Sequence, residues 1–287
     1  MDGRVGGRQL DGRVAVITGA GSGFGRRSAL LFAEHGARVV VSDLSADRTH
    51  QVVEEITAAG GTATAKVCDV SDSGQVRELV ATAMDTYGDL DVMFNNAGIP
   101  LLGPFDEIPE ESMRRALEVN VLGVFFGCQA AAPILRAKRV GCILNTSSAA
   151  ALTALPGGVG YAITKGAVNT LTRDLAVELG PYNVRVNALC SMGGMSANMV
   201  MPSDAPIVDE DANDDAWSPE DSLYVLHTPR PPKLVDHSNV ALFLASDNAA
   251  WVSGVCMPVD GATTAKAALD MSKKLSSYGT GTAAVER

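Results

Sequence analysis

The chain has 287 residues, of which 46% are hydrophobic, and its formal net charge is −10 at pH 7. The length suits a single α/β domain, and the acidic balance argues against nucleic acid as a partner. The five cysteines lack metal-ligand spacing, so no metal site is expected. The N-terminus lacks the apolar centre of a signal peptide and no uninterrupted eighteen-residue apolar run is present. We therefore expect a cytoplasmic protein without a membrane partner.

Apolar strands alternate with helical patterns along the chain, beginning with a strand at 13–17 and a helix at 26–35. Such alternation predicts βαβ units. The expected fold is α/β, a single domain with a doubly wound, mostly parallel sheet and helices on both faces. We assign residues 1–10 to a flexible tail, 11–263 to the domain and 264–287 to a C-terminal extension.

A glycine-rich turn, Thr18 to Gly25, joins the first strand to the first helix. Glycines allow close backbone approach to a ligand, and a helix N-terminus offers free N–H groups with a partial positive charge. The turn therefore predicts a diphosphate cradle, although its spacing is T-G-x-x-x-G-x-G rather than G-x-G-x-x-G. A turn without a ligand is the alternative. The expected contacts are Gly19, Ser22, Gly23, Phe24 and Gly25.

The next strand, 37–43, ends in Asp43, about twenty residues past the glycines, where a carboxylate accepts hydrogen bonds from the adenosine ribose hydroxyls. This carboxylate also repels a 2′-phosphate, so NAD is favoured over NADP. Ser22 rather than a basic residue precedes Gly23, and Leu44 follows the acid as a further expected contact. Alternatively, Asp43 caps the helix that begins near Ser45.

Ser148, Tyr161 and Lys165 form a second candidate group. Tyr161 and Lys165 are four residues apart, which places them on one face of a helix. A tyrosine pKa is about 10, and a neighbouring ammonium lowers it by favouring the phenolate, towards the range useful in acid–base catalysis. The pattern predicts proton transfer to or from a substrate oxygen. For an isolated pair of this kind, the ordinary alternative is an exposed pair with the lysine in solvent.

These motifs, in this order, resemble those of the short-chain dehydrogenase/reductase family from about Leu10 to Gly261, which implies a Rossmann-type fold. The resemblance places Asp69 and Val70 at the adenine. Residues 95–98 read Asn-Asn-Ala-Gly, the family signature beside the adenosine ribose. The contacts implied there are Asn96, Ala97 and Gly98.

The resemblance also implies a catalytic tetrad of Asn120, Ser148, Tyr161 and Lys165. Tyr161 is then the general acid or base and Ser148 holds the substrate oxygen, with Ser147 as a competitor for that role. Lys165 lowers the phenol pKa and holds the nicotinamide ribose, while Asn120 holds a water that links Lys165 to solvent. The implied reaction is NAD-dependent interconversion of a secondary alcohol and a ketone by hydride transfer.

The chain departs from the family pattern after Cys190. The family has Pro-Gly and then a threonine, whereas this chain continues Ser-Met-Gly-Gly-Met-Ser over 191–196. The expected cofactor contacts in this stretch are Met192, Gly194 and Ser196, with Ser196 in the place of the threonine.

Residues 191–234 are predicted to form a substrate loop or lid. Its methionines at 192, 195, 199 and 201 suit an irregular hydrophobic ligand, with ordinary packing as the alternative. The acidic stretch 204–221 is typical of solvated chain. We expect a small hydrophobic substrate, an alicyclic, terpenoid or steroid-like alcohol or ketone.

Two other functions remain open. One is an NADPH-dependent ketoreductase resembling 3-oxoacyl-carrier reductases, against which Asp43 argues. The other is a non-catalytic nucleotide-sensing protein, against which the intact tetrad argues. The family resemblance further implies a homotetramer.

Overall fold

The computed structural model describes residues 7–154, 156–192, 218 and 225–265. Seven parallel strands form one sheet in the order β3-β2-β1-β4-β5-β6-β7. The strands are β1 (Val14–Thr18), β2 (Arg38–Asp43), β3 (Thr62–Val67), β4 (Val92–Asn95), β5 (Gly141–Ser148), β6 (Val184–Ser191) and β7 (Cys256–Val259). The α-helices of the described residues are α1 (Gly23–Glu34), α2 (Ala46–Ala58), α3 (Ser73–Tyr87), α4 (Glu110–Leu117), α5 (Gly123–Lys138), α6 (Val159–Leu179) and α7 (Leu234–Ala245).

Helices cover both faces of the sheet, so its inner strands are apolar on both sides. In β1, Ala15 and Ile17 pack into one core with α1, α2 and α7, while Val14 and Val16 pack into a second core with α3, α5 and α6. This division follows from the alternation of side chains along a strand. The predicted doubly wound α/β fold is confirmed.

The strand order reverses between β1 and β4, where Ile17 lies beside Phe94. Ligands of open α/β sheets bind at such a switch point, outside the carboxyl ends of the strands. The polar residues that end β1, β2, β4 and β5 therefore meet at one edge. They are Thr18, Asp43, Asn95 and Ser148.

The packed domain includes Leu10, which was expected to belong to a flexible tail. Leu10 is buried in the core of α1, and its N–H donates to the carbonyl of His35 at 3.0 Å. Residues 266–287, which hold most of the predicted C-terminal extension, lie outside the described residues.

One helical stretch, Glu110–Lys138, is long and apolar enough to cross a membrane by length and composition. It consists of α4, a π-helical turn at Glu118–Leu122 and α5, with a mean hydropathy of 1.4 in its most apolar window. The sequence-based expectation considered only uninterrupted apolar runs and did not single it out. This is weak evidence for a span, because a core helix meets the same criteria, and α5 packs against α3 and α6.

Candidate active site

A cavity of about 330 Å³ opens at the carboxyl edge of the sheet, at the switch point between β1 and β4. The predicted cofactor contacts that line it are Gly19, Ser22, Gly23, Phe24, Gly25, Asp43, Leu44, Asp69, Val70, Asn96, Ala97, Gly98, Tyr161 and Lys165. The lining residues that the sequence did not single out are Arg48, Ile99, Arg115, Val119 and Thr146.

The glycine turn forms the floor of this cavity and needs its glycines. Gly19 and Gly23 adopt positive φ angles of 61° and 51°, which side chains disfavour. A Cβ atom on Gly25 would lie 2.1 Å from the carbonyl oxygen of Gly19. Helix α1 begins here, and its N-cap residue, Ser22, makes no side-chain cap. The Ser22 side chain thus leaves the first-turn N–H groups uncapped. An anion cradle requires such uncapped groups.

Asn96 braces the glycine turn from β4. Its amide nitrogen donates to the carbonyls of Thr18 at 3.0 Å and Gly19 at 3.2 Å. Its amide oxygen accepts from the Thr146 hydroxyl at 3.0 Å. Both amide donors are therefore used within the protein, so Asn96 positions the turn and joins β5 to it.

Asp43 faces the glycine turn from the end of β2. Its Oδ2 accepts from the N–H of Gly21 at 3.0 Å and its Oδ1 from the N–H of Ser45 at 3.0 Å. The helix α2 is capped by Ser45, whose hydroxyl accepts from the N–H of Arg48. Ser45 and not Asp43 therefore caps the helix, and the carboxylate lines the cavity.

The carboxylate of Asp69 is held by Ser71, in the same loop, and by Arg115, in α4. Its Oδ1 accepts from the N–H of Ser71 at 2.9 Å and from the Ser71 hydroxyl at 2.6 Å. Its Oδ2 accepts from Nη2 of Arg115, in α4, at 3.3 Å. Burial by itself would raise the pKa of Asp69, but the hydrogen bonds from Ser71 and the charge of Arg115 hold it below its usual value.

Ser148, Tyr161 and Lys165 meet where β5 ends beside α6. The Ser148 side chain lies next to the phenol of Tyr161, close enough to act on its pKa, and its hydroxyl accepts from the N–H of Ala150 at 3.1 Å. Lys165 is only 1% exposed, which excludes the solvent-exposed pair that its spacing also allowed. Its Nζ donates to the carbonyl of Thr146 at 2.8 Å and lies 5.6 Å from the centroid of the Tyr161 ring.

The pKa values of this group differ from the sequence-based expectation. Burial raises the pKa of Tyr161 to about 12, with the hydrogen bond to Ser148 acting in the opposite direction. Burial lowers the pKa of Lys165 to about 8. The expected lowering of the phenol pKa by the ammonium is absent from this structure, where burial is the largest influence on the phenol and Nζ donates to Thr146.

Asn120 lies in the π-helical turn between α4 and α5, a feature common at functional sites. Its Oδ1 accepts from the N–H of Ile99 at 2.8 Å, and its Nδ2 donates to the carbonyl of Ile99 and to the Thr164 hydroxyl. A Cβ atom on Gly98 would lie 3.2 Å from this Oδ1 and 3.3 Å from Nζ of Lys165. Asn120 therefore braces the loop after β4 against α6.

Ser147, the competitor for the serine role, points away from the phenol. It is buried, and its hydroxyl donates to the backbone carbonyl of Lys165 at 3.2 Å. Ser148 is the serine that lies next to Tyr161, and its role as the substrate-holding serine stays a prediction.

The stretch after β6 that departs from the family sequence pattern is described only as far as residue 192. Met192 is partly buried, its N–H donates to the carbonyl of Val259 at 3.1 Å, and it is not among the described residues that line the cavity. Gly194 and Ser196 lie outside the described residues, as does most of the predicted lid. Their cofactor contacts stay predictions.

Of the five lining residues that the sequence did not single out, Thr146 had a local sequence signal and Arg115 had none. Thr146 stands in the same polar run as Ser148, so its place at the end of β5 was within reach of sequence reasoning. Arg115 had no local signal, because its partner Asp69 is 46 residues away in the chain.

Comparison with known proteins agrees with this geometry. A family model described as short chain dehydrogenase matches residues 13–207. Short chain aldehyde dehydrogenase 1 of Euphorbia lathyris is 36% identical over 260 residues, which span 88% of this chain and 88% of that protein. The 7alpha-hydroxysteroid dehydrogenase of Escherichia coli K12 is 38% identical over 256 residues, spanning 88% and 94%.

A solved structure of a 7 alpha-hydroxysteroid dehydrogenase, complexed with NADH and 7-oxo glycochenodeoxycholic acid, superposes on this chain with a TM-score of 0.77. The two are 35% identical, and the match covers 88% of this chain and 95% of the other. The chain therefore belongs to the short-chain dehydrogenase/reductase family and is an oxidoreductase that works with a nicotinamide dinucleotide.

Proposed function

We propose that this protein is an NAD-dependent oxidoreductase that interconverts a secondary alcohol and a ketone, with Tyr161 as general acid or base. One observation carries the proposal. Tyr161, whose phenol lies next to Ser148, lines the same cavity as Lys165 and as the carboxylate of Asp43. Proton-transfer groups thus share a cavity with a carboxylate suited to ribose hydroxyls.

The lining residues fit a dinucleotide. The glycine turn and the first turn of α1 offer N–H groups to the diphosphate, and Asp43 offers acceptors to the adenosine ribose. Lys165, buried beside Gly98, is placed to donate to the hydroxyls of the nicotinamide ribose. When bound, the nicotinamide accepts or supplies the hydride, and the protein positions it.

Tyr161 carries the proton in this proposal. With its pKa raised to about 12 by burial, the phenol is protonated at neutral pH and ready to donate to a ketone oxygen. Ser148 holds the phenol and directs its hydrogen bond towards that oxygen. Alcohol oxidation needs the phenolate instead, so its rate rises with pH while reduction is favoured near neutrality.

A hydrophobic, ring-containing substrate is the class best supported. Exposed apolar side chains, Leu102, Leu152 and Val159, lie in the segments that adjoin Ser148 and Tyr161. These segments are joined by a backbone hydrogen bond from Gly103 to Gly157. The similar hydroxysteroid dehydrogenase, by its name, acts on such a substrate.

The NADPH-dependent ketoreductase stays a second candidate because of Arg48. Arg48 lines the cavity on the same side as Asp43, and a Cβ atom on Gly21 would touch both residues. A guanidinium is well suited to bind a 2′-phosphate. Asp43, at the end of β2, opposes this reading through charge repulsion.

The test is oxidation of a panel of cyclic secondary alcohols, terpenols and hydroxysteroids with NAD⁺ and with NADP⁺. We expect turnover with NAD⁺, and we expect Asp43→Ser to lower the NAD⁺ preference in kcat/KM by roughly tenfold, the scale of one charge-assisted contact. Asp47→Ser, which removes an acid from the first turn of α2, outside the cavity lining, is the control. Turnover with NADP⁺ alone would replace the proposal by the ketoreductase.

We further propose that the protein is a homotetramer. The described residues support self-association with a second cavity of about 780 Å³, between α5 and α6, whose apolar lining includes Phe125, Leu175 and Tyr182. Light scattering on the purified full chain tests this. The cytoplasmic location and the domain limits drawn from the sequence stay predictions.

A further inference from the structure

Arg115 is a charged residue of the cavity lining that the proposed function leaves without a role. It lies in α4, outside the family motifs, and its guanidinium bridges two acceptors. Nη1 donates to the Ser71 hydroxyl at 2.8 Å, and Nη2 donates to Oδ2 of Asp69 at 3.3 Å. Glu118, one turn further along the chain, has its Oε2 3.5 Å from the same Nη1 and forms a partly exposed ion pair with the guanidinium.

The bridge leaves a defined acceptor on Asp69. An ionised carboxylate has about four lone-pair sites. Two sites on Oδ1 are taken by the N–H and the hydroxyl of Ser71, and one on Oδ2 by Arg115. The remaining site belongs to Oδ2, on a residue that lines the cavity. Arg115 and Ser71 together therefore determine which oxygen is open and which way it faces.

We propose that Arg115 is a positioning residue for base recognition: with Ser71, it orients Asp69 so that Oδ2 accepts the exocyclic amine of the adenine. The inference rests on the proposed binding of NAD. Arginine suits this role better than lysine, because its planar fork reaches two acceptors in a fixed geometry. The assigned specificity is for a purine that presents an N–H donor at this position, not for the charge of the cofactor.

The test compares the dissociation constants of NADH and of reduced nicotinamide hypoxanthine dinucleotide, measured by titration of nicotinamide fluorescence. The hypoxanthine analogue presents a carbonyl oxygen in place of the amine and keeps the rest of the molecule. We expect the unmodified protein to bind NADH roughly tenfold more tightly, as for a charge-assisted hydrogen bond. Arg115→Gln is expected to bring this ratio close to one.

Two further variants separate geometry from charge and from stability. Arg115→Lys keeps the charge but not the fork, so the ratio should also fall. Arg114→Gln, on the same helix, removes an exposed arginine paired with Glu110 and should leave the ratio unchanged. If Arg115→Gln does not fold, Ser71→Ala, which removes the bridged hydroxyl, should lower the ratio in its place.

The outcomes separate this inference from the function on which it rests. An unmodified protein that binds NADH without discriminating against the analogue overturns the inference and leaves the proposed function intact. An unchanged ratio in the Arg115 or Ser71 variants overturns it as well. Failure to bind either dinucleotide, with no turnover of any alcohol, overturns the proposed function.

Discussion

The two ends of the same parallel sheet differ in how their buried charges are paired. At the amino end, the Asp91 side chain is 5% exposed and accepts from the N–H of Val14, from Arg13 and from Lys138. Burial by itself would raise the pKa of Asp91, but these hydrogen bonds hold it below its usual value. The charge there is matched within the fold.

At the carboxyl end, Lys165 is as deeply buried, but it donates to the neutral carbonyl of Thr146. No carboxylate of the described residues offsets its burial, and its pKa falls to about 8. At the amino end, paired charges stabilise the sheet. The carboxyl end holds charge at a cost in stability and keeps it available to a ligand, as expected of a functional site.

The largest expected effect is at the carboxyl end. Tyr161→Phe removes the proton donor, so kcat should fall by about 10²–10⁴-fold, while the dissociation constant for NADH stays nearly unchanged. Steady-state kinetics and a fluorescence titration measure the two quantities. Tyr87→Phe, at the end of α3 and outside the active-site lining, is the matched control and should keep full activity. Substantial turnover by Tyr161→Phe would show that another group carries the proton.

The next effect is at the amino end and concerns stability alone. Asp91→Ala leaves the N–H of Val14 without its acceptor and removes the buried carboxylate from Arg13 and Lys138, which keep only Asp247 and Asp89. The free energy of unfolding should therefore fall by about 3 kcal/mol. Asp247→Ala removes an 87% exposed carboxylate from the same Arg13, and the loss should stay below about 1 kcal/mol. Urea denaturation measures both. If the two variants lost the same free energy of unfolding, burial would not determine how much Asp91 contributes to stability.

Removal of the buried charge of Lys165 should stabilise the protein, whereas removal of the buried charge of Asp91 should destabilise it. Because the folded pKa of Lys165 is about 8 and its ordinary value is 10.5, the unfolded chain binds more protons between those pH values. The free energy of unfolding of the wild type should therefore rise with pH across that window. Below the window it is lowered by the full cost of burying the charged ammonium. Lys165→Met should raise the free energy of unfolding at neutral pH by up to about 3 kcal/mol, less the lost hydrogen bond, while abolishing turnover.

Lys138→Met is the control for this reversal, because Lys138 is paired with Asp89 and Asp91 and its loss should destabilise the protein. Urea denaturation without added nucleotide, at neutral pH and near pH 10, measures both variants. The advantage of Lys165→Met should shrink at the higher pH. A destabilised Lys165→Met at neutral pH would contradict the assignment of an uncompensated buried ammonium.

The sequence alone determined the fold class and most of the cavity lining. Apolar strand periodicity, the glycine turn and the four-residue spacing of Tyr161 and Lys165 are local patterns, and local backbone geometry decides what they form. The choice of Ser148 over Ser147 also followed from spacing and stays a prediction; the Ser147 hydroxyl is used by the backbone carbonyl of Lys165.

The tertiary structure decided the partners and the energies. Arg115 reaches Asp69, and Asn120 braces Ile99, across chain separations of 46 and 21 residues, which strand order and helix packing determine and local periodicity does not. It likewise decided that burial would govern the pKa values of Tyr161 and Lys165, against the expectation drawn from their spacing. Desolvation depends on everything that packs around a group, and no stretch of sequence next to the group contains that information.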